Sequence, residues 1–528
     1  MTELNRNNCR EGEKNTLISF VISVYVILIG AGLPLFVRDK YFDILISKYY
    51  YYCICTISML IILVGCFLIQ RKNIVPSSGK SLLRSVFASL TLADYFVLMF
   101  YLIAILSTIT SDYVYESFWG NEGRFTGLFL ITWYVMSYFC VSKLWKLRKV
   151  YIDIILIAGI LVCLFGITDY FKMDIFDFKA PMVMEQRAIF TSTIGNINTY
   201  TAYVGIIVAI STVLFVLTKE FKRSVFYYFC MIISFFAIIM GVSDNAYLSL
   251  VALFSLLPLL IFNSKFGIRK YFIIIATFFT VVQSIDWINS FFGDGVLGID
   301  SAFNMVISFG GLHFLVIVLW VIILVWKGVD IKKNNEDKSY GNTFKYLWLS
   351  VLGVFLVGIF YICYDINVLG NSTKYGSLST YFVFNDDWGT HRGYIWRNAF
   401  ECFSELSILK KIIGFGPETF GILLLQKTSN NPYNELFDSA HNEYLHLLIT
   451  VGIAGLMSYL LFVISNIWNS LRNYRNNPYK LAIAFGVICY SVQAFVNLNL
   501  PITTPVFWLL LGMAGAKPFE DISRNYKQ

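Results

Sequence analysis

Charge is the scarcest commodity in this sequence. Asp, Glu, Lys and Arg make up 14% of its 528 residues, where a soluble domain carries about 25%. That shortfall excludes an ordinary soluble enzyme. Metal-ligand spacing is missing too. Ten cysteines and four histidines are present, but none stand at zinc-site intervals and most cysteines fall inside apolar stretches. Neither a zinc centre nor a disulfide framework is expected. Internal repeats and proline- or serine-rich linkers are absent. So are the short alternating segments of a membrane β-barrel. The polar N-terminal segment leads into a full-length apolar run, which is not the pattern of a cleavable signal.

What is abundant is apolar length. Hydrophobic residues reach 57% and mean hydropathy is +0.66, with runs of about 20 apolar residues recurring to the C-terminus. The expected fold is all-α, a polytopic transmembrane helical bundle of about 12–14 spans. Residues 1–366 read as an N-terminal transmembrane bundle and 367–438 as an extracytoplasmic loop with an amphipathic helix. Residues 439–528 read as C-terminal transmembrane helices that carry His441. Lys and Arg gather on alternate short loops, the positive-inside pattern, which puts the long loop outside a plasma (inner) membrane. The net charge of +8 is therefore topological, and nucleic acid is not an expected partner.

The stretch from Asp438 to Leu456 is where the long loop re-enters an apolar run. A histidine at that boundary, His441, is a functional candidate by position; the plain alternative is a residue that tolerates the interface. With Asp438 or Ser439 as N-cap, His441 falls in the first turn, where the helix dipole keeps imidazole neutral and able to take a proton. If one helix continues onward, Gly452 and Gly455 lie within about 20° and 40° of His441 and allow a neighbour to approach closely. His446 points elsewhere and reads as structural, as does His391.

Inside the loop, residues 390–414 form an amphipathic pattern with Ile395, Trp396, Ala399, Phe403 and Leu406 on one face. Arg392 lies in line with that face, where an interfacial helix would not place a cation, so it is expected to meet an anion. Arg397 points away and reads as a surface charge. The glycine-rich GFGPETFG then ends the helix. Arg124 and Arg187 are further anion-binding candidates, since a guanidinium grips phosphate with two parallel bonds; each alone is as well read as an interfacial charge. Asn196 and Asn198 either cap the sixth span or hold sugar hydroxyls. Adjacent Asp386 and Asp387 suit a turn better than a divalent ion, and no metal or other cofactor is expected. Asp94, the one carboxylate deep in a span, suggests proton or ion coupling, and with it a transporter or flippase.

His441–Asn442, nine residues, then Gly452-x-x-Gly455 resembles the signature of the O-antigen ligase and polymerase superfamily, with Leu456 where Thr or Val is usual. RAIFTSTIGNIN, FWGNEGRFTG, HRGYIW and GFGPETF resemble the outer segments of that family. The resemblance implies a metal-independent, inverting membrane glycosyltransferase. Its donor would be a glycan on undecaprenyl diphosphate and its acceptor a hydroxyl of a glycan, lipid or protein. It implies His441, Arg392 and Arg187 as catalytic residues, with Arg124, Asn196, Asn198 and Asn442 contacting substrate. A polymerase of lipid-linked repeat units is the alternative within the family.

Overall fold

A computed structural model describes residues 17–71, 90–121, 123–300, 303–333, 339–475 and 477–519. Among them the chain is helical almost throughout, and its only sheet consists of two pairs of two-residue strands. Eleven helices are long and apolar enough to cross a membrane, and three shorter ones are apolar. The first five apolar helices are α1 (Leu17–Leu35), α2 (Ile44–Arg71), α3 (Leu92–Ile109), α4 (Leu128–Leu144) and α5 (Lys149–Tyr170). Next come α6 (Ile197–Leu217), α7 (Phe221–Met240), α8 (Ala246–Ile261), α9 (Lys265–Phe292), α10 (Leu312–Lys333) and α11 (Thr343–Asn367). The long loop supplies α12 (Trp388–Glu405), α13 (Ile408–Ile413) and α14 (Phe420–Thr428). The chain then returns through α15 (Glu443–Thr450), α16 (Gly452–Asn473), α17 (Pro478–Gln493) and α18 (Thr504–Gly515). The multi-pass all-α bundle expected from hydropathy is the architecture observed.

Burial sorts these helices. In α6, 94% of the most apolar stretch is buried, because α6 is packed between α7, α8 and α17. The corresponding stretch of α11 is 0% buried, so α11 stands at the periphery. Two lysines serve as caps for helix ends: Lys48 donates to the Leu33 and Pro34 carbonyls (2.6 and 3.1 Å), and Lys480 reaches the Ala514 and Ala516 carbonyls. Both satisfy carbonyls that a helix C-terminus leaves open.

Three expectations change here. The run from residue 442 to 468 is not one helix, since Val451 and Gly452 divide α15 from α16. Asp94 is not deep in a span. It is the third residue of α3, in a reciprocal capping box with Thr91, and it also accepts from Tyr138 (2.9 Å) and Lys143. The carboxylate that suggested ion coupling is thus a helix cap.

The loop helix also departs from the sequence reading. Gly389, Thr390 and His391 are left-handed, so the regular helix starts at Arg392. It ends at Glu405 with Leu406 as C-cap, and Ser407 caps the separate α13 by accepting from the Lys410 amide (3.3 Å). Its apolar face is covered by protein. Tyr394, Ile395, Ala399 and Cys402 pack with Phe420, Leu423 and Leu424 of α14, with Phe437, and with Leu445 and Ile449 of α15. The loop therefore carries a small hydrophobic core of its own, built onto the re-entry helix.

Candidate functional site

The N-cap of α15 is Asn442, whose side-chain oxygen accepts from the amides of Tyr444 (3.0 Å) and Leu445 (3.1 Å). His441 consequently precedes the helix and is not in its first turn. Asp438 and Ser439 lie further out, and the Ser439 hydroxyl accepts from the His441 amide (3.1 Å). His441 has a φ of +45°. A non-glycine residue in that region costs roughly 1–3 kcal/mol and is retained where the surroundings fix it. What fixes it is visible on both sides: Trp396 donates to the Ala440 carbonyl (2.8 Å), and Asn442 is locked into the cap.

The neutrality expected for His441 has a different source from the helix dipole. Burial lowers its pKa to about 4; Arg392 and then Arg124 push in the same direction, and Asp438 opposes them. The charges of two guanidiniums thus bear on one imidazole. Arg392 is half-buried and its pKa is lowered by burial, with Asp244 the one nearby charge opposing this. No hydrogen bond or ion pair joins its guanidinium to a described residue. Arg124 spends one nitrogen on Asp438 (2.6 Å), while its buried Nε lacks an acceptor. Arg397, by contrast, is an exposed charge held by Asp386 (3.0 and 2.7 Å) and Glu401.

Other candidates are placed apart from this cluster. Arg187 donates to the carbonyls of Met182 (3.1 Å) and Ala180 (3.0 Å) and so staples its own loop; it is not among the charges that act on His441. Asn196 caps α6 by accepting from the Asn198 amide (2.9 Å). Asn198 accepts from Ser243 (2.7 Å) through its side chain and from Asn497 (3.0 Å) through its carbonyl. His391 stacks on Tyr433 (3.8 Å between ring centres).

The glycine alignment rested on a continuous helix and does not survive the break at Val451. Close approach is nevertheless what Gly452 provides. Its φ is +71°, and an added Cβ would lie 2.3 Å from the Ile412 carbonyl oxygen and 2.6 Å from the Gly414 nitrogen. The turn after α13 is docked there by Phe415 N to Ile449 O (2.9 Å) and Gly416 N to Thr450 O (3.0 Å). Ser107 of α3 donates to the same Thr450 carbonyl (2.8 Å). Gly452→Ala should lower stability by at least about 2 kcal/mol, read as the thermal unfolding midpoint in detergent; an unchanged midpoint would refute this docking.

One part of the site was not anticipated. Glu418, Glu443, His446 and Asn499 line a cavity of about 40 Å³ with Thr126, Tyr459 and Trp508. Glu418 accepts from Thr126 and lies 3.9 Å from His446 Nε2. Glu443 accepts from Tyr459 (2.6 Å) and Asn499 (3.3 Å). His446 stacks on Phe420, so the histidine taken as structural faces an acidic cavity. The spacing Glu443-x-x-His446 places both on one helix face, which was the available signal.

Burial pushes the Glu418 carboxyl up to about 7, with Arg124 opposing and Asp438 adding to the rise. The native state therefore holds a proton that the unfolded chain, with a carboxyl near 4.5, has released. Stability falls as pH rises from about 4.5 to 7, and the penalty is complete above that. Glu418→Gln, which cannot ionise and still accepts from Thr126, should gain on the parent protein as pH goes from 5 to 8. The expected gain is on the order of 2 kcal/mol; a difference that is flat with pH would contradict it.

No protein-family model matches this chain, and no curated protein matches it.

Proposed function

We propose that this protein is a membrane glycosyltransferase that moves a glycan from an undecaprenyl-diphosphate carrier to an acceptor hydroxyl, in the manner of an O-antigen ligase. The observation that carries the reading is a neutral His441 under the charge of two guanidiniums, one of which, Arg392, makes no hydrogen bond or ion pair to a described residue and has Asp244 as its one opposing charge. A diphosphate supplies the missing negative charge. In the reaction the acceptor oxygen attacks the anomeric carbon, and its proton passes to the imidazole of His441. The bond from that carbon to the diphosphate breaks on the opposite face, inverting the centre. The departing charge is taken up by Arg392 and by the open edge of Arg124. The proton then leaves His441 for solvent or for the released diphosphate.

His441 in the free protein is a weak base, first because it is buried and then because Arg392 and Arg124 add positive charge nearby. Diphosphate between them would neutralise their field and raise the imidazole's basicity once the donor is in place. The site then gains its base on binding substrate. Basic loops on the opposite side support an extracytoplasmic position for this chemistry, at the plasma membrane.

The experiment compares cell-surface polysaccharide and polyprenyl-linked sugars with and without the gene. Full-length chains stranded on the carrier are the outcome expected of a ligase. Chains cut to a single repeat would make it a polymerase of lipid-linked units. Unaltered pools of both would refute glycosyl transfer.

A further inference from the structure

Around the cavity beside the His441 cluster, three side-chain oxygens find no donor among the described residues: Glu418 Oε1, Glu443 Oε2 and Asn499 Oδ1. The two glutamates are each only 2% exposed. Their other oxygens are already used, by Thr126 on Glu418 and by Tyr459 and Asn499 on Glu443. Arg124 acts on Glu418 by charge alone: it bonds Asp438 through one nitrogen, and its free Nε donates to none of these oxygens. His446 approaches Glu418 only to 3.9 Å. Ionising a carboxyl left in this condition costs several kcal/mol, so each keeps a proton unless a cation takes its place. The cavity therefore suits an occupant that brings positive charge to oxygen.

Its size and donor set narrow the choice. About 40 Å³ admits roughly three water-sized bodies, which is too little for a sugar or a phosphate. The unmet groups are all oxygens, the ligands of hard cations and not of zinc or copper. Among the described residues no group of three or more His, Cys, Asp and Glu is arranged to hold a metal ion, so the carboxylate-rich shell of a tight divalent site is not offered. Two carboxylates helped by an amide oxygen fit a singly charged ion completed by water.

We propose that this cavity binds one monovalent metal cation, of Na⁺ or K⁺ size, at Glu443, Asn499 and Glu418. Glu443 directly follows the N-cap Asn442 and stands two residues from His441. An ion there would hold the start of α15, making it a positioning element for His441, out of contact with the reacting atoms. The proposal does not depend on glycosyl transfer, and its test uses no glycan.

The full-length protein in detergent is unfolded thermally in choline chloride at fixed pH and ionic strength, with choline replaced stepwise by Na⁺, K⁺ or Li⁺. The expected result is a saturable rise of roughly 2–5 °C with at least one of the three ions. Glu443→Gln or Asn499→Ala should weaken that ion at least tenfold, judged in whichever variant remains monodisperse. Identical midpoints in choline and all three salts would overturn the proposal. So would an undiminished response in both variants, or a midpoint that follows pH alone, which would assign the cavity to protons.

Discussion

Replacing His441 by alanine should reduce turnover by about 10²- to 10⁴-fold, the usual worth of a positioned general base. In cells the lipid-linked glycan should accumulate while its product disappears. The variant should still fold, because the His441 side chain makes no hydrogen bond to a described residue; the cap is made by Asn442 and the neighbouring anchor by Trp396. Relief of a positive φ at position 441 is not expected, since alanine is strained there as well. The decisive comparison is with His446→Ala, which removes a ring stacked on Phe420 and should act first on stability. Normal product from a stable His441→Ala protein would end the assignment of His441 as the base.

Replacing Arg392 by alanine is the second large effect, on the order of 10²- to 10³-fold in kcat/KM, the scale of removing one preorganised charge from a departing anion. Lysine should recover only part of it, because an ammonium cannot make the paired bonds of a guanidinium. The pH dependence separates this role from simple packing. A positive neighbour lowers the pKa of His441, so its loss raises that pKa part of the way from about 4 toward the ordinary 6.5. Burial, the larger cause, remains. The acid limb of kcat/KM, which reports the free enzyme, should move to higher pH in Arg392→Ala. Equal loss across the whole pH range, with no movement of the limb, would mean that Arg392 does not act on His441.

The sequence carried the architecture because lipid demands it: apolar length and few charges leave a helical bundle as the solution. It also carried the two elements that meet at His441, the re-entry segment and the amphipathic stripe through Ile395 and Ala399. The failures came from boundaries. Asp94 read as deep in a span because its apolar run has no visible start, whereas the helix begins at Leu92 and Asp94 caps it. Treating residues 442–468 as one helix set Gly452 on the face of His441, whereas a left-handed glycine breaks that helix. Glu418 was invisible for another reason. It is 25 positions from Glu443 in sequence, and only the packing of the loop core on α15 brings the two to one cavity.

The helix α15 is bounded by left-handed residues, His441 before it and Gly452 after it. One end is clamped by the loop core and the other by the Ile412–Gly414 turn. It is thus a strut of fixed length, with no slack at either joint. Adding or deleting a single residue within it would turn one end against the other by about 100° and shift it by about 1.5 Å, carrying His441 away from both arginines. Spacing, more than the identity of its outward-facing residues, is what this segment has to preserve.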